Sequence, residues 1–354
     1  MPFRVLDATK RSTKATALAK KFESRIISQE PAKRALVNLL EKVESGMYDT
    51  GRPRGSLLFL GPTGSGKTAT AEAFVEGLFG DAARMMKVDC AEFQHSHEIA
   101  KLVGSPPGYL GHRETHPFFT NLSVLEARTG KDSKEIMPFT VVLWDEIEKA
   151  SDALWNLMLG ILDKGVLTTG TNERVTEMAN TVHIMTSNIG AAEMDDTTTI
   201  GYQSDTKIVT DEKLEAIARA AARKKFSPEF LNRLDHIVMF KTLTPEDIKQ
   251  VLSLSLEKVQ DRVVLGSGVP LFEIRVTERG LKQLLDAGYD RRYNARNLNR
   301  EVERSISEPL TRLIATNQIN HGDIVVCDYL KDAWTYAAVQ KHATVAEDDI
   351  LSAV

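Results

Sequence analysis

The 354-residue sequence is short of cysteine, of long apolar runs and of net charge. Its two cysteines, Cys90 and Cys327, lie far apart and outside any CxxC pair. That excludes a disulfide framework and points to a reducing compartment. No apolar stretch approaches the ~18 residues that a membrane-spanning helix requires. The N-terminal MPFRVLDATKRSTK lacks the apolar core of a signal peptide. The expectation is therefore a soluble, cytoplasmic protein with no membrane partner. Lys and Arg number 45 against 49 Asp and Glu, for a net charge of −4. The global basic signature of a nucleic-acid binder is missing, although a local basic patch stays open. The 22 glycines and 12 prolines follow no period, which excludes collagen-like and low-complexity chains. Hydrophobic residues at 42% suffice for a buried core, and the length fits roughly two domains.

What is present is an alternation. A polar helix is expected over 14–24. Ala32, Ala35, Leu36, Leu39, Leu40 and Val43 recur at helical spacing, so 30–45 reads as an amphipathic helix with Pro31 in its first turn. Short apolar runs at Ser56–Leu60, Met86–Val88, Thr140–Trp144, Thr181–Thr186 and Ile237–Phe240 read as strands separated by helical stretches. Strands alternating with helices imply an α/β fold, a parallel sheet flanked by helices. After Phe240 the texture changes. Thr244-Pro245-Glu246-Asp247 opens a helix with Thr244 as N-cap. Helices near 244–262, 278–287 and 294–315, with strands at Phe272–Val276 and Asp323–Cys327, make a small, mostly helical second domain. The tail 331–354 has weak helical character.

Gly61-Pro62-Thr63-Gly64-Ser65-Gly66-Lys67-Thr68 matches G-x-x-x-x-G-K-[ST], placed after a strand and before a helix from about Lys67 to Leu78. Glycines let backbone N–H groups turn inward around a phosphate. Lys67 reaches the β- and γ-oxygens, Thr68 ligates Mg²⁺, and the helix N-terminus favours the anion. ATP with Mg²⁺ is the expected ligand. Val141-Val142-Leu143-Trp144-Asp145-Glu146 supplies the acidic pair at another strand's end. Asp145 suits the Mg²⁺ shell, and Glu146 can polarise the attacking water. His95 and His97 lack further ligands at metal spacing and read as a polar loop.

The stretches RIISQEPAKRAL, GSLLFLGPTGSGKT, GSPPGYLG, VVLWDEIEKA, IMTSNIGA, FSPEFLNRLDHIV and GYDRRYNARNLNR occur in this order. Together they resemble the second ATPase module of the Clp-type AAA+ unfoldases, the ClpB, ClpA and ClpC group, over residues 24–327. The resemblance implies an N-terminal helical lead at 1–25, a large AAA+ ATPase domain at 26–240, a small C-terminal AAA+ domain at 241–330 and the tail. It makes Ile26 and Ile27 the adenine contacts, with Ser28 where the family usually has glycine. It makes Asn188 the sensor of the hydrolytic water, Arg233 the finger that reaches a neighbouring subunit's γ-phosphate, and Arg296 the second sensor, acting in cis. Asn294 replaces the usual glycine before Ala295-Arg296. Gly108-Tyr109-Leu110-Gly111 resembles the substrate-gripping pore loop, and Thr169–Glu177 stands where a second pore loop lies. Residues 126–136 are expected to form a solvated loop, longer than the family pattern.

These readings converge on a ring, a hexamer by resemblance, that hydrolyses ATP and threads unfolded or misfolded polypeptide through its pore. One alternative is the ATPase subunit of a Clp-type protease, delivering chains to a ClpP-type peptidase. Ile200-Gly201-Tyr202 resembles the tripeptide that docks such a peptidase. The other alternative is a nucleic-acid-remodelling AAA+ protein, disfavoured by the net charge and the aromatic pore loop.

Overall fold

The computed structural model describes residues 6–105, 116–129, 137–190, 211–266, 270–289 and 295–340. Its chain divides into two compact units, the first of residues 1–62 and 66–241, the second of residues 242–354 together with Thr63–Ser65.

The first unit is built on a five-stranded sheet: β1 (Gly55–Leu60), β2 (Met86–Asp89), β3 (Thr140–Asp145), β6 (Thr181–Ser187) and β7 (His236–Met239). Their order is β2-β3-β6-β1-β7, and every pairing is parallel. Strands β1, β3 and β6 are buried along nearly their whole length, as a sheet covered on two sides requires, whereas β2 alternates buried Met86 and Val88 with exposed Lys87 and Asp89. Alternate residues serve different layers. Leu58, Leu60, Val142, Trp144 and Met185 pack with helix α5 (Asp152–Lys164) on one face. Leu57, Phe59, Val141, Leu143 and Ile184 pack on the other with helices α1 (Thr13–Arg25), α2 (Glu30–Glu44) and α3 (Lys67–Phe79). Helix α4 (Asn121–Thr129) corrects one expectation: residues 126–129 end a helix and are not loop. Residues 130–136 lie outside the described residues. β4 (Leu167–Thr168) and β5 (Arg174–Val175) make a small hairpin at the place assigned to the second pore loop. Helix α6 spans Asp211–Lys225.

Helix α2 is preceded by its N-cap Gln29, a left-handed residue at φ +64. Its side-chain amide donates to the Lys241 carbonyl (2.9 Å) and accepts from the Lys241 N–H (3.0 Å). One carboxamide thus meets both backbone groups of Lys241, just past the end of β7.

The second unit opens with helix α7 (Pro245–Leu265). Thr244 and Asp247 form a reciprocal capping box at its start. Helix α8 (Glu278–Gly288) follows β8 (Glu273–Val276). The single helix expected over 294–315 is two helices, α9 (Ala295–Val302) and α10 (Glu308–Ala315), joined by a π-helical turn at Glu303–Ser307. Pro309 explains the turn. It has no N–H for the carbonyl four residues back, that of Ser305. That carbonyl accepts instead from the Tyr336 hydroxyl at 2.6 Å.

Tyr336 lies on an element the sequence reading missed. The tail is not helical at its start: Ala333–Gln340 is strand β10, antiparallel to β9 (Asp323–Leu330), which pairs in parallel with β8. The two-residue turn Lys331-Asp332 has φ of +49 and +62, the double left-handed pattern of a type I′ hairpin. Such turns are usually signalled by Asn-Gly, and Lys-Asp carries no such signal. Residues 341–354 lie outside the described residues.

Candidate nucleotide site

The loop after β1 is shaped by what surrounds it. A Cβ on Gly61 would stand 2.5 Å from the Phe240 carbonyl oxygen, so no side chain fits there. Gly66, at φ +97, caps helix α3 in a conformation glycine adopts at little cost. Lys67 then enters the helix with its ammonium buried. It donates to the carbonyls of Gly61 and Pro62, each at 2.8 Å, and to Asn188 Oδ1 at 2.9 Å. Burial lowers its pKa to about 8, opposed by the negative charges of Glu148, Asp145 and Glu146. A phosphate oxygen entering the loop would offer this donor a charged acceptor in place of neutral ones.

The acidic pair sits where β3 ends. Asp145 Oδ1 is 3.3 Å from the Thr68 hydroxyl, and Oδ2 is 3.1 Å from Lys87 Nζ. Hydroxyl and carboxylate oxygens converging beside a phosphate loop are hard donors and fit Mg²⁺. Glu146 is held at φ +55, a strained conformation for a non-glycine residue. Its carboxylate is 2.5 Å from Lys149 Nζ. Thr186, one strand over, joins the two: its hydroxyl donates to Asp145 Oδ1 and accepts from the Glu146 N–H at 3.1 Å. Two residues on, the Asn188 N–H donates to Glu148 Oε1 at 3.1 Å. Thr186, Glu148, Lys87 and Lys149 were not singled out by sequence reasoning. Thr186 and Glu148 were within reach, since both flank assigned residues inside quoted motifs.

The other expected residues are placed less closely together. Ile26 is buried and Ile27 half-buried, on the segment between α1 and α2. Ser28 is left-handed at φ +59, a conformation that favours the glycine the resemblance expects at that place. Arg233 is half-buried, with Nη1 3.1 Å from Glu229 Oε1 and Nε 3.4 Å from Asp163 Oδ1. Arg296 is exposed on the first turn of α9, in the second unit. Tyr109, Leu110, Ile200, Gly201, Tyr202 and Asn294 lie outside the described residues. His95 and His97 are exposed, with rings 5.7 Å apart. No group of three metal-ligating side chains occurs among the described residues. No helix among them is long and apolar enough to cross a membrane.

Known proteins resemble the chain in both units. Residues 52–237 match the model of the AAA domain (Cdc48 subfamily), and residues 243–327 match the C-terminal, D2-small domain of ClpB protein. The ATP-dependent Clp protease ATP-binding subunit ClpC of Staphylococcus aureus (strain USA300) is 35% identical over 318 residues, 90% of this chain and 37% of the relative. Its counterpart in Staphylococcus saprophyticus is 33% identical over 328 residues, 93% of this chain and 38% of the relative. The chain thus spans under two-fifths of the length of these curated relatives. Two solved structures share the fold. Hsp104 in a closed state with ATPγS and FITC casein gives a TM-score of 0.74 at 29% identity, over 93% of this chain and 52% of that one. The S. cerevisiae Hsp104–casein complex in an extended conformation gives 0.75 at 28% identity, over 92% and 53%.

Proposed function

The chain belongs to the AAA domain family (Cdc48 subfamily), with a ClpB-type small domain behind it, and from that premise we propose that it is a ring-forming ATPase that unfolds polypeptide by threading it through a central pore. The observation that carries the catalytic half is the convergence of Lys67, Thr68, Asp145, Glu146 and Asn188 at the ends of three adjacent strands. Lys67 holds the phosphate oxygens, and the helix α3 N-terminus adds its dipole. Thr68 and Asp145 would hold Mg²⁺, which would supply positive charge against the charge of the phosphates. Glu146 takes the role of water activator, and the Asn188 amide completes the water's placement.

Arg233 is read as the finger supplied in trans to a neighbouring subunit, and Arg296 as the second sensor. Ile26 and Ile27 flank the base. The unfolding half rests on similarity to Hsp104, whose solved complexes contain casein, and on the aromatic pore loop at Tyr109. A hexamer is the assembly this reading implies. The name of the ClpC relatives supports a second reading, in which the ring feeds a ClpP-type peptidase through Ile200-Gly201-Tyr202.

The test follows ATP turnover and loss of fluorescence of a folded, tagged reporter. The wild-type chain is expected to do both. Glu146→Gln should bind ATP and do neither, while Tyr109→Ala should hydrolyse ATP without unfolding the reporter. A wild-type chain that turns over ATP but leaves the reporter folded would sink the threading role. Adding a ClpP-type peptidase separates the two readings, since only the second yields degradation sensitive to Ile200→Ala and Tyr202→Ala.

A further inference from the structure

Glu148 lies two residues past the acidic pair, on the short turn Ile147–Lys149. It points back into the site. Oε1 accepts the Asn188 N–H at 3.1 Å, and the Asn188 side chain in turn accepts from Lys67 at 2.9 Å. Oε2 is buried and has no hydrogen-bond partner among the described residues. A carboxylate with a buried, unsatisfied oxygen is costly unless its charge is used nearby. The hydrogen-bond network supplies the use: through Asn188 the carboxylate is joined to the buried Lys67 ammonium. Lys149, the next residue, is engaged with Glu146.

We propose that Glu148 is a positioning residue of the nucleotide site: its hydrogen bond to the Asn188 main chain fixes where the Asn188 amide sits relative to Lys67. The proposal rests on the reading of Asn188 as the sensor of the hydrolytic water. Asn188 follows directly on β6, at the point where the strand's ladder ends. Its N–H therefore has no strand partner to orient it, and Glu148 fills that role with a charge-assisted bond. Without it the amide can swing with the following chain. A small displacement of a water-orienting group costs rate without costing affinity, because ATP is held by the loop, Lys67 and Mg²⁺.

Glutamine separates geometry from charge, since Glu148→Gln keeps an acceptor oxygen and removes the charge. Steady-state ATP hydrolysis and the affinity for a fluorescent ATP analogue are measured on the full 354-residue chain. The set is wild type, Glu148→Ala, Glu148→Gln, Asn188→Ala and the Glu148→Ala/Asn188→Ala double variant. Glu148→Ala is expected to lose roughly ten- to a hundredfold in kcat. Its affinity for the analogue should fall by less than about threefold. Glu148→Gln should recover most of the lost rate. The double variant should be no slower than Asn188→Ala alone, because the two act in series. Wild-type turnover by Glu148→Ala would overturn the proposal, as would a double variant whose losses multiply, or a Glu148→Gln as slow as the alanine. Fast hydrolysis by Asn188→Ala would bring down the sensor reading itself. A slow Asn188→Ala beside a fast Glu148→Ala would remove only Glu148. The glutamine variant and the analogue affinity keep the test readable if the alanine variant misfolds.

Discussion

Among single residues, His183 shows how a titratable group can be fully spent on structure. It lies in β6, completely buried. Its Nδ1 accepts from Trp144 Nε1 at 2.9 Å, and Nε2 is 2.7 Å from the Thr181 hydroxyl. That hydroxyl already donates to the Met178 carbonyl, so Nε2 carries the ring proton and the imidazole is neutral. Burial depresses its pKa from 6.5 to about 3. The unfolded chain therefore takes up a proton near pH 6.5 that the folded chain refuses until about pH 3. Its stabilising contribution is complete above pH 6.5 and is lost progressively as the pH falls toward 3. Between pH 6.5 and pH 5 that loss is about 2 kcal/mol. Urea unfolding at these two pH values should show it, and His183→Asn should fall by about that much less over the same interval. Equal losses in both proteins would mean that His183 titrates in the folded state.

At the scale of elements, the second unit turns on a pair of accommodations. Pro309 withholds a donor, the helix widens into a π turn, and Tyr336 on β10 satisfies the orphaned Ser305 carbonyl. Tyr336→Phe should lower the stability of this unit by about 1–2 kcal/mol. In a Pro309→Ala background the restored N–H can serve Ser305, so the same substitution should cost less. A double-mutant cycle in denaturant measures the difference, and strict additivity would show that the proline is not the cause. None of this was legible in the sequence. Helical periodicity over 294–315 is blind to which carbonyl a proline orphans, and a Lys-Asp turn gives no hairpin signal. The five strands of the first unit's parallel sheet were legible because they are short apolar runs between turn residues. The phosphate loop and the acidic pair were legible because their chemistry dictates residue types at fixed spacing. Thr186 and Glu148 make hydrogen bonds to groups 40 residues away in sequence, a relation no local pattern encodes.

For the whole molecule, the sharpest expectation follows from the role proposed for Arg233 as a finger. In the single chain Arg233 is engaged by Glu229 and Asp163 of its own fold. A role in trans means that catalysis needs a neighbour, so specific ATPase activity should rise with protein concentration. Mixing Arg233→Ala and Lys67→Ala chains, each inactive alone, should restore activity at interfaces that join an intact site to an intact finger. Activity that is independent of concentration in a proven monomer, or a mixture no better than its parts, would place the finger's action within one chain.

The clasp between Gln29 and Lys241 has a consequence for how this molecule behaves as a polymer. Its two bonds join positions separated by 212 residues. Closing so long a loop by two bonds alone would be opposed by chain entropy. The parallel pairing of β7 with β1 has already met that cost, so the clasp adds enthalpy to ends that are held together in advance. Lys241 is the last residue before the chain passes into the second unit, and Gln29 lies just past the Ile26-Ile27 pair. Two stretches written at opposite ends of the large unit therefore answer as one joint, and a substitution at either end acts on both.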